Sequence, residues 1–495
     1  MGRLNWRKQA CFVFILCAAT AIALPAQTFT TLDSFDMQDG VIPHAQLVQA
    51  TDGNLYGTTS EGGSGGYGTI FKISPGGALS VLYTFCSESG CTDGGLPLGA
   101  LVQGSGGSLY GTTDFGGASA TGCGGLGCGT VFKITTNGTL TTLYRFCSQS
   151  GCTDGGNPAA GLVQAADGNF YGTTDSGGTN DGGTVFKITP NGTLTTLYNF
   201  CSNSDCTDGS YPNAALVQGA DGSLYGTTPY GGANSAPCDG LGCGVVFRIT
   251  TSGVLTTIYS FCSQPNCTDG RYPNGGLVEA TDGKLYGTAQ YGGANNDGTV
   301  FNITPQGVLT TLLSFNSTDG ADPEGALTQG TDGNLYGTTQ NGGANNYGTV
   351  FNVTPIGTLT TLYSFCAQSR CTDGEYAAAS PVQDTDGTFY GTTSKGGADH
   401  GCTLGCGTVF SLAVGLGPFV EPQPSSSRLG ASVRILGTNL TGATSVTFNG
   451  TTAVFTVVSS SFITTTVPAG ATTGKVQVVT PGGTLTSNVP FRVLP

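Results

Sequence analysis

The sequence predicts an all-β protein: a seven-bladed β-propeller closed by an N-terminal strand and followed by a small immunoglobulin-like β-sandwich. Three observations predict this architecture. The sequence Leu/Phe-Tyr-Gly-Thr recurs seven times, in units that read as four short strands. A phrase typical of the end of a unit, "FTTLDSF" (29–35), stands alone before the first unit begins. After residue 414 the repeat gives way to short alternating strands separated by Gly, Pro and Asn turns.

Residues 1–26, "MGRLNWRKQACFVFILCAATAIALPA", precede the repeats and have the pattern of a secretory signal peptide. A basic start is followed by an apolar run and by small residues, so we expect cleavage after Ala23 or Ala26. Simple export is favoured over lipoprotein attachment at Cys17, because Leu16 stands where a small residue is expected. No later segment approaches the ~18 apolar residues that span a bilayer. We therefore expect a protein without a membrane span that is secreted to the cell exterior, the periplasm or the cell surface.

Seven copies of one unit fill residues 27–414. Each copy contains a first apolar run such as "AALVQ" (214–218), an Asp-Gly turn, "SLYGTT", a Gly-rich loop, "GTVFKIT" (183–189), a Pro-Asn-Gly turn and "TLTTLYNF" (193–200). Val, Ile, Thr, Tyr and Phe between turn residues favour strands over helices. Four strands per unit, seven times, indicate a propeller, whereas a β-solenoid usually has shorter repeats. The tyrosines of the seven copies are Tyr56, Tyr110, Tyr171, Tyr225, Tyr286, Tyr336 and Tyr390.

The N-terminal phrase supplies the strand that the last unit lacks. The Tyr390 unit has three predicted strands, "SPVQ", "FYGTTS" and "GTVFSL", and no fourth before the connector at 418–430. Pairing residues 29–35 with this unit would close the ring and remove the exposed sheet edges of an open array. We therefore expect six continuous blades and one blade shared between the two ends of the repeat region.

The charge of the chain excludes nucleic acid as a partner. Removing residues 1–26 leaves 13 basic residues against 30 acidic ones, a net charge near −17, whereas phosphate binding requires clustered Lys and Arg. The single tryptophan, Trp6, lies in the predicted signal peptide.

Sixteen of the 18 cysteines form eight close pairs that appear and disappear together along the repeats. Around 314–325 both members of one pair are missing together with the residues between them. Disulfides are favoured over zinc sites, because each loop offers two ligands, the chain has two histidines and export is oxidising. The pairs are Cys86/Cys91, Cys123/Cys128, Cys147/Cys152, Cys201/Cys206, Cys238/Cys243, Cys262/Cys267, Cys366/Cys371 and Cys402/Cys406.

The cysteine pairs are expected to share one location and one role. Because the strands of a blade are antiparallel, all eight pairs should decorate one rim of the propeller. Each disulfide would close a loop of about six residues and contribute roughly 2 kcal/mol against the unfolded chain. We therefore expect the disulfides to stiffen loops more than they hold the propeller together.

Two sets of side chains are candidates for binding, and both have structural alternatives. Aromatic residues in the long loops are candidate ligand contacts, although they could equally cover loop backbone: Phe115, Tyr230, Tyr291 and Tyr347. A series that ends the first strands is expected to be architectural, with Glu279 as a break that a cation could exploit: Gln49, Gln103, Gln164, Gln218, Glu279, Gln329 and Gln383. The repeated Tyr-Gly-Thr tyrosines are expected to pack between blades.

The units "DGNLYGTT" and "GTVFKITPNGTLTTLYSF" resemble the GloVer tandem repeat of bacterial exported proteins, over about 27–414. "DGNLYGTT" is also similar to the Asp-Gly-x-Leu-Trp-x-Gly-Thr motif of propeller repeats in bacterial sensor proteins. Residues 415–495, with "GASVRILGTNLTGATSVTFNG" and "VPAGATTGKVQVVTPGG", are similar to the IPT/TIG domain. These resemblances imply a propeller and an immunoglobulin-like module used for interaction and spacing, and they bring no catalytic residue.

Two functions remain open at the level of sequence. The favoured one is a non-catalytic binding or adhesion protein, a monomer that recognises an extracellular carbohydrate or protein ligand through the face carrying the disulfides. The alternative is a secreted propeller enzyme, a glycoside hydrolase or polysaccharide lyase. Repeated turn aspartates such as Asp52, Asp167 and Asp221 are structural choices, so the sequence indicates no catalytic residue, no cofactor and no metal.

Overall fold

The computed structural model describes residues 27–117, 123, 125, 127–398 and 401–494. The predicted signal peptide, residues 1–26, lies outside the described residues. None of the helices in the described ranges is long and apolar enough to cross a membrane.

Seven four-stranded antiparallel sheets form the propeller predicted from the repeats, which confirms the fold class. We number the blades 1 to 7 after their second strands. The first strands are Val48–Gln49, Val102–Gln103, Val163–Gln164, Val217–Gln218, Val278–Glu279, Thr328–Gln329 and Val382–Gln383. The second strands are Leu55–Thr59, Leu109–Thr113, Phe170–Thr174, Leu224–Thr228, Leu285–Ala289, Leu335–Thr339 and Phe389–Thr393.

The third and fourth strands form the outer half of each blade. The third strands are Thr69–Ile73, Thr130–Ile134, Thr184–Ile188, Val245–Ile249, Thr299–Ile303, Thr349–Val353 and Thr408–Ala413. The fourth strands of blades 1 to 6 are Leu79–Thr84, Leu140–Arg145, Leu194–Asn199, Leu255–Ser260, Leu309–Ser314 and Leu359–Ser364. The described 3-10 helices are Ser89–Cys91, Ser150–Cys152, Ser204–Cys206, Ala236–Cys238, Pro265–Cys267 and Ser369–Cys371.

The N-terminal strand Thr28–Ser34 is the fourth strand of blade 7. It pairs antiparallel with Thr408–Ala413, with Thr28 opposite Ala413 and Ser34 opposite Thr408. The lone phrase at the start of the repeat region therefore closes the ring, as the strand count predicts.

The second strand is the core of each blade, and its Leu-Tyr-Gly-Thr-Thr sequence reflects packing on both faces. All five residues of Leu55–Thr59 are buried. Gly57 lies under the ring of Phe71, since a Cβ added to it would lie 2.5 Å from Phe71 Cζ and 2.6 Å from Leu47 Cδ2. Only glycine leaves room for an aromatic ring from the adjacent third strand.

Two rings of hydrogen bonds join each blade to the next, and both include the closing contact between blades 7 and 1. In each blade a second-strand threonine donates to a carbonyl of the next blade. The pairs are Thr58–Gly99, Thr112–Ala160, Thr173–Ala214, Thr227–Gly275, Thr288–Gly325, Thr338–Ala379 and Thr392–Ala45. In the second ring, the Gln and Glu residues at the ends of the first strands accept hydrogen bonds through their side-chain oxygens. The donors are backbone N–H groups in the turn of the preceding blade.

Five of the blade-to-blade connections contain a disulfide and are organised by a buried aspartate. Asp93, which is inaccessible to solvent, accepts from the Tyr83 hydroxyl at 2.9 Å and from the Ser87 amide at 3.0 Å. All eight cysteine pairs are bonded, three of them in the loops between second and third strands. The prediction that the protein carries many disulfides is confirmed.

One cysteine of the pair Cys402–Cys406 is buried between two blades. The two residues are separated by four, whereas the other seven pairs are separated by five. Cys406 is inaccessible to solvent and belongs to a core cluster that includes Phe35 and Val409. Its carbonyl oxygen accepts from the amide of Ile42 in blade 1 at 3.1 Å. Cys406 therefore packs where blade 7 meets blade 1, and the other loops between second and third strands also contain buried cysteines: Cys128, Cys238 and Cys243.

The C-terminal domain is a β-sandwich with its own core, which includes Val433, Ile435, Val446, Ile463 and Val478. One sheet is formed by Val420–Gln423, Ser432–Gly437, Phe462–Thr466 and Phe455–Val457. The other is formed by Thr451–Thr452, Ser445–Phe448, Val476–Thr480 and Gly483–Thr486. A two-stranded parallel ribbon pairs Ser426–Arg428 with Arg492–Leu494.

Candidate functional site

The propeller has two chemically different faces. Because the strands of a blade are antiparallel, the blade-to-blade connections and the loops between second and third strands emerge on one face, which we call the disulfide face. The Asp-Gly turns after the first strands and the turns after the third strands emerge on the other, which we call the turn face. The sequence predicts this separation from strand direction alone.

The C-terminal domain lies on the turn face and contacts the turns of five blades. These contacts are hydrogen bonds or ion pairs to residues that end first strands or begin turns. The contacts are Ser461–Thr51, Arg434–Gln103, Arg492–Glu279, Asn488–Gln329 and Thr438–Thr385. Since blades 1 and 2 lie across the ring from blades 5 and 6, the domain covers the centre of this face.

Glu279, which stands where the other six blades have glutamine, contacts the C-terminal domain. Its Oε1 accepts the Ala220 amide at 3.0 Å, as a glutamine would, and its Oε2 pairs with Arg492 of the C-terminal domain. The side chain of Glu279 is only 7% exposed. The counter-charge at the position where the sequence left room for a cation is therefore a guanidinium of the same chain.

A second acid under the C-terminal domain is Asp384, which is 2% exposed. Its Oδ1 accepts from Gln49 Nε2 at 2.7 Å, while its Oδ2 has no partner among the described residues. Burial, and next the charge of Asp386, raises the pKa of Asp384 to about 7. The other blades have Ala or Gly at this position: Ala50, Gly104, Ala165, Gly219, Ala280 and Gly330.

Inner segments of different blades contact one another around the axis of the propeller. The backbones of neighbouring inner segments approach closely: a Cβ added at Gly275 would lie 2.5 Å from the carbonyl oxygen of Gly325. The side-chain amide of Gln46 in blade 1 donates to Thr328 Oγ1 in blade 6 at 2.9 Å, a contact between two blades that are not neighbours. With the centre of the turn face covered, the disulfide face is the central surface available to a ligand.

The disulfide face presents one residue per blade in a left-handed conformation at the entry to the first strand. The backbone is the same in all seven blades, with φ between 54° and 59°, but the side chain differs: Ile42, Leu96, Asn157, Tyr211, Tyr272, Asp322 and Tyr376. Left-handed φ is uncommon for residues other than Gly, Asn and Asp and costs free energy, most of all for β-branched Ile42. The fold thus holds seven varied side chains at one rigid position.

Blades 4 and 5 combine this position with loop aromatics to form a continuous strip, which we call the tyrosine strip: Tyr211, Tyr230, Tyr272 and Tyr291. The ring centroids are 6.1, 5.4 and 6.1 Å apart along the strip, and each pair is edge-to-face. The guanidinium of Arg271 lies 5.5 Å from the centroid of Tyr272 and 5.7 Å from that of Tyr291. The strip is therefore a row of mutually packed rings with one cation beside it.

Hydroxyl partners divide the tyrosines into two classes. Of the twelve in second and fourth strands, eleven donate to an aspartate, as Tyr56 does to Asp52 at 2.8 Å. The other seven lie on the disulfide face, and within the described part of the chain their hydroxyls have no hydrogen-bond partner: Tyr67, Tyr211, Tyr230, Tyr272, Tyr291, Tyr347 and Tyr376. The framework tyrosines are structural, as predicted, and the polar groups of the second class are available to a ligand.

A cavity of about 510 Å³ opens on the same face between blades 6 and 7. Its lining includes Tyr347 and Tyr376, whose ring centroids are 5.7 Å apart, and the disulfide-bonded loop that carries Leu404. Lys395 lies 4.9 Å from the centroid of Tyr376, and burial raises the pKa of the adjacent Glu375. Leu404 is 57% exposed, although leucine is usually buried. The cavity thus combines two rings, the basic group of Arg370, the acidic group of Glu375 and an exposed apolar edge.

Acidic groups with shifted pKa values surround the centre of the disulfide face. Burial, and next the charge of Asp175, raises the pKa of Asp114 to about 6. Burial also raises the pKa values of Asp175 and of Glu324, the latter with help from Asp322. His44 is half-buried, and burial followed by the charge of Lys395 lowers its pKa. Asp114 and Asp175 stand at the repeat position that Pro229 and Gln290 occupy in blades 4 and 5.

Within the described ranges, two groups of cysteines have sulfurs close enough to hold a metal, Cys128/Cys147/Cys152 and Cys238/Cys243/Cys262. All six sulfurs belong to disulfides. Disulfide sulfur lacks the thiolate charge that metals require, so these groups do not fit an ion.

The four loop aromatics chosen from the sequence all lie on the disulfide face and are half-buried. Tyr230 and Tyr291 belong to the tyrosine strip and Tyr347 to the cavity, whereas Phe115 stands alone in blade 2. The sequence reasoning missed Tyr211, Tyr272 and Tyr376. A signal for Tyr211 and Tyr272 was present, since a proline follows this position in six repeats while the residue itself varies, whereas in blade 7 Tyr376 is followed by Ala377.

Family models match both parts of the chain. The Gloeobacter/Verrucomicrobia repeat matches residues 19–237, 120–267 and 204–410, and the IPT/TIG domain matches residues 420–493. No curated protein matches the chain.

Among solved structures, the chain is similar at low identity to three proteins. One is described as a "putative gluconolactonase" (12% identity, TM-score 0.37, 80% of this chain and 94% of that one). Another is described as the "extracellular domain of the putative hybrid two component system" of B. thetaiotaomicron (12%, 0.49, 95% and 59%). A third is a luciferin-regenerating enzyme (13%, 0.38, 63% and 89%).

Proposed function

This chain belongs to the Gloeobacter/Verrucomicrobia repeat family and carries an IPT/TIG domain, and we propose that it is an exported binding protein whose disulfide face holds an extracellular ligand. The observation that carries the proposal is the distribution of tyrosine hydroxyls. Eleven of the twelve in the framework are bonded to aspartates, and the seven without a partner among the described residues share one face. Tyrosine offers a large contact area at low cost in side-chain entropy, which makes it typical of recognition surfaces.

The position of the C-terminal domain also favours the disulfide face as the binding surface. By covering the centre of the turn face, it leaves the disulfide face as the open end of the ring. Eight disulfides restrain the loops there, each contributing about 2 kcal/mol against the unfolded chain for a loop of this length. Restrained loops lose less entropy when a ligand binds. The many disulfides are also typical of an oxidising, extracellular setting.

Catalysis is the second candidate, favoured by the raised pKa values of Asp114 and Glu324. Two carboxyl groups with different environments are the usual machinery of glycoside hydrolysis. Asp114 and Glu324 belong to blades 2 and 6, on different sides of the ring, and the described part of the chain shows no contact between them. Binding without turnover is therefore the better-supported function.

The test is a binding screen with product analysis. The protein lacking residues 1–26 is applied to immobilised polysaccharides and peptides, and the soluble fraction is assayed for released fragments. The variant Y230E/Y291E alters the disulfide face, and V308E/I356E alters exposed turns of the opposite face as a matched control. Saturable binding abolished by the first variant alone supports the proposal. Released oligosaccharide, or binding lost equally in both variants, contradicts it.

A further inference from the structure

We infer that the tyrosine strip, continued by the cavity between blades 6 and 7, is a binding path for a neutral glycan chain. The inference rests on the proposed binding function and names its ligand class. It draws on how the aromatic residues are distributed around the ring, on which groups of the face remain available, and on the balance of charge along the path.

The free tyrosines are concentrated on one side of the ring. Blades 4 and 5 each contribute two, blades 6 and 7 one each, and blade 1 contributes Tyr67, whereas blades 2 and 3 contribute none. In blade 2 the equivalent loop position is Phe115, and in blade 3 it is Ser176. An elongated ligand would therefore follow an arc over blades 4 to 7 and would not encircle the axis.

The geometry of the strip suits a polymer with a short repeat. Successive ring centroids lie 5.4 to 6.1 Å apart, a step close to the length of one sugar residue along a chain. The edge-to-face packing fixes each ring before any ligand arrives, so little side-chain entropy remains to be lost on binding. Sugar C–H faces pack on aromatic rings, while sugar hydroxyls bond to the free phenol groups.

The backbone of this face is already paired, which disfavours an extended peptide. In every blade the segment entering the first strand is bridged to the loop after the second strand, as Ser210 is to Tyr230 and Arg271 is to Tyr291. Strand addition requires a free edge of N–H and C=O groups, and these bridges occupy it. A ligand must therefore be recognised by side chains.

The side chains beside the strip are amides and carboxylates that suit hydroxyl groups. A chain of hydrogen bonds runs from Asn213 to Asn274 (3.5 Å), from Asn274 to Gln290 (2.5 Å) and from Gln290 to Glu324 (2.7 Å). Such planar groups can accept from sugar hydroxyls while donating to one another.

The charge along the path indicates a neutral ligand. Arg271, Arg370 and Lys395 are balanced by Asp322, Glu324 and Glu375, and Arg271 already donates to Asn296 Oδ1 at 3.1 Å. An anionic glycan would require an excess of Arg or Lys with free donors, and the protein as a whole is acidic. A neutral chain needs no counter-charge.

Tyrosine fluorescence provides a direct test, because the single tryptophan lies in the predicted signal peptide. The protein lacking residues 1–26 is titrated with neutral β-1,4- and β-1,3-linked glucose hexasaccharides, an oligogalacturonate and a proline-rich peptide. We expect saturable binding of a neutral hexasaccharide, weakened about tenfold or more by Y272A and by Y291A. F115A, at the same repeat position as Y291A, is the matched control and should leave affinity within about twofold.

The conservative variants Y272F and Y291F keep the rings and remove the hydroxyls, so an intermediate loss would separate stacking from hydrogen bonding. Circular dichroism and thermal unfolding of each variant exclude misfolding as the cause of lost binding. Preference for the oligogalacturonate or the peptide would overturn the glycan inference and leave the binding function standing. Binding of a neutral glycan that F115A weakens as much as Y291A would place the ligand elsewhere and overturn the inference. Failure to bind any probe, in the screen above as well as here, would overturn both proposals.

Discussion

The ring of Phe29 stacks on that of Tyr363, with centroids 3.7 Å apart and planes 3° from parallel. Phe29 belongs to the N-terminal strand in blade 7, and Tyr363 belongs to the fourth strand of blade 6. Phe29 also packs against Phe410 of its own blade at 5.3 Å. The N-terminal strand therefore closes the ring through side-chain packing between blades as well as through backbone pairing.

Removing this contact should loosen the whole propeller. We expect F29A to lower the free energy of unfolding by about 2 kcal/mol or more, because both apolar area and the stacked pair are lost. Deleting residues 28–36 should lower the melting temperature further. Thr30, an exposed neighbour in the same strand, provides the control T30A. A melting temperature unchanged by the deletion would contradict closure by this strand.

The ion pair between Arg492 and Glu279 predicts a non-additive pair of substitutions. R492A leaves the carboxylate of Glu279 almost buried without its counter-charge, so we expect a loss of about 1–3 kcal/mol. In E279Q/R492A most of this loss should be recovered, because six blades already have glutamine at the position. The measurement is a double-mutant cycle by denaturant unfolding. Additive losses would mean that the pair contributes nothing to docking of the C-terminal domain.

Asp384 predicts a specific pH dependence. Its pKa is 3.8 in the unfolded chain and about 7 in the folded protein, so the folded state retains the proton over a wider range. The stability contributed by the protonated group is complete below about pH 4 and is lost as pH rises to about 7.

We expect D384N, which preserves an acceptor for Gln49, to become more stable than the natural protein as pH increases across this window. The difference should reach at most about 4 kcal/mol. The measurement is the free energy of unfolding at several values between pH 4 and 8. Parallel curves for the two proteins would show that Asp384 does not titrate in this window.

The cysteine pairing predicts the result of a thiol titration. The mature protein, denatured without reductant, should expose almost no free thiol, because all sixteen cysteines after residue 26 are bonded in eight pairs. Peptide mapping should recover each pair within one short fragment, since the partners are four residues apart for Cys402 and Cys406 and five residues apart elsewhere. Several reactive thiols, or cross-links between different loops, would contradict the pairing.

The strands, the number of blades and the closure of the ring can all be predicted from the sequence. They follow from turn chemistry, from apolar residues at fixed places in each repeat and from counting units, all of which are local or periodic properties. The separation of the disulfide face from the turn face is predictable too, because strand direction alternates within a blade. The loop aromatics Tyr230 and Tyr291 were reachable for the same reason, as they lie in the variable segments of a regular unit.

Which of these residues meet depends on the tertiary structure. Tyr211 packs on Tyr230 of its own blade, whereas Tyr272 packs both on Tyr291 of its own blade and on Tyr230 of the preceding blade. Cys406 is buried because the closed ring brings blade 1 against its loop.

Other contacts depend on the C-terminal domain that packs on the turn face. The counter-charge of Glu279 is Arg492, which lies more than 200 residues away in the sequence. Contacts of this kind depend on the ring and on the domain that covers it. No local pattern records them, because the glutamines at the same position of the other repeats bond to a turn of the preceding blade.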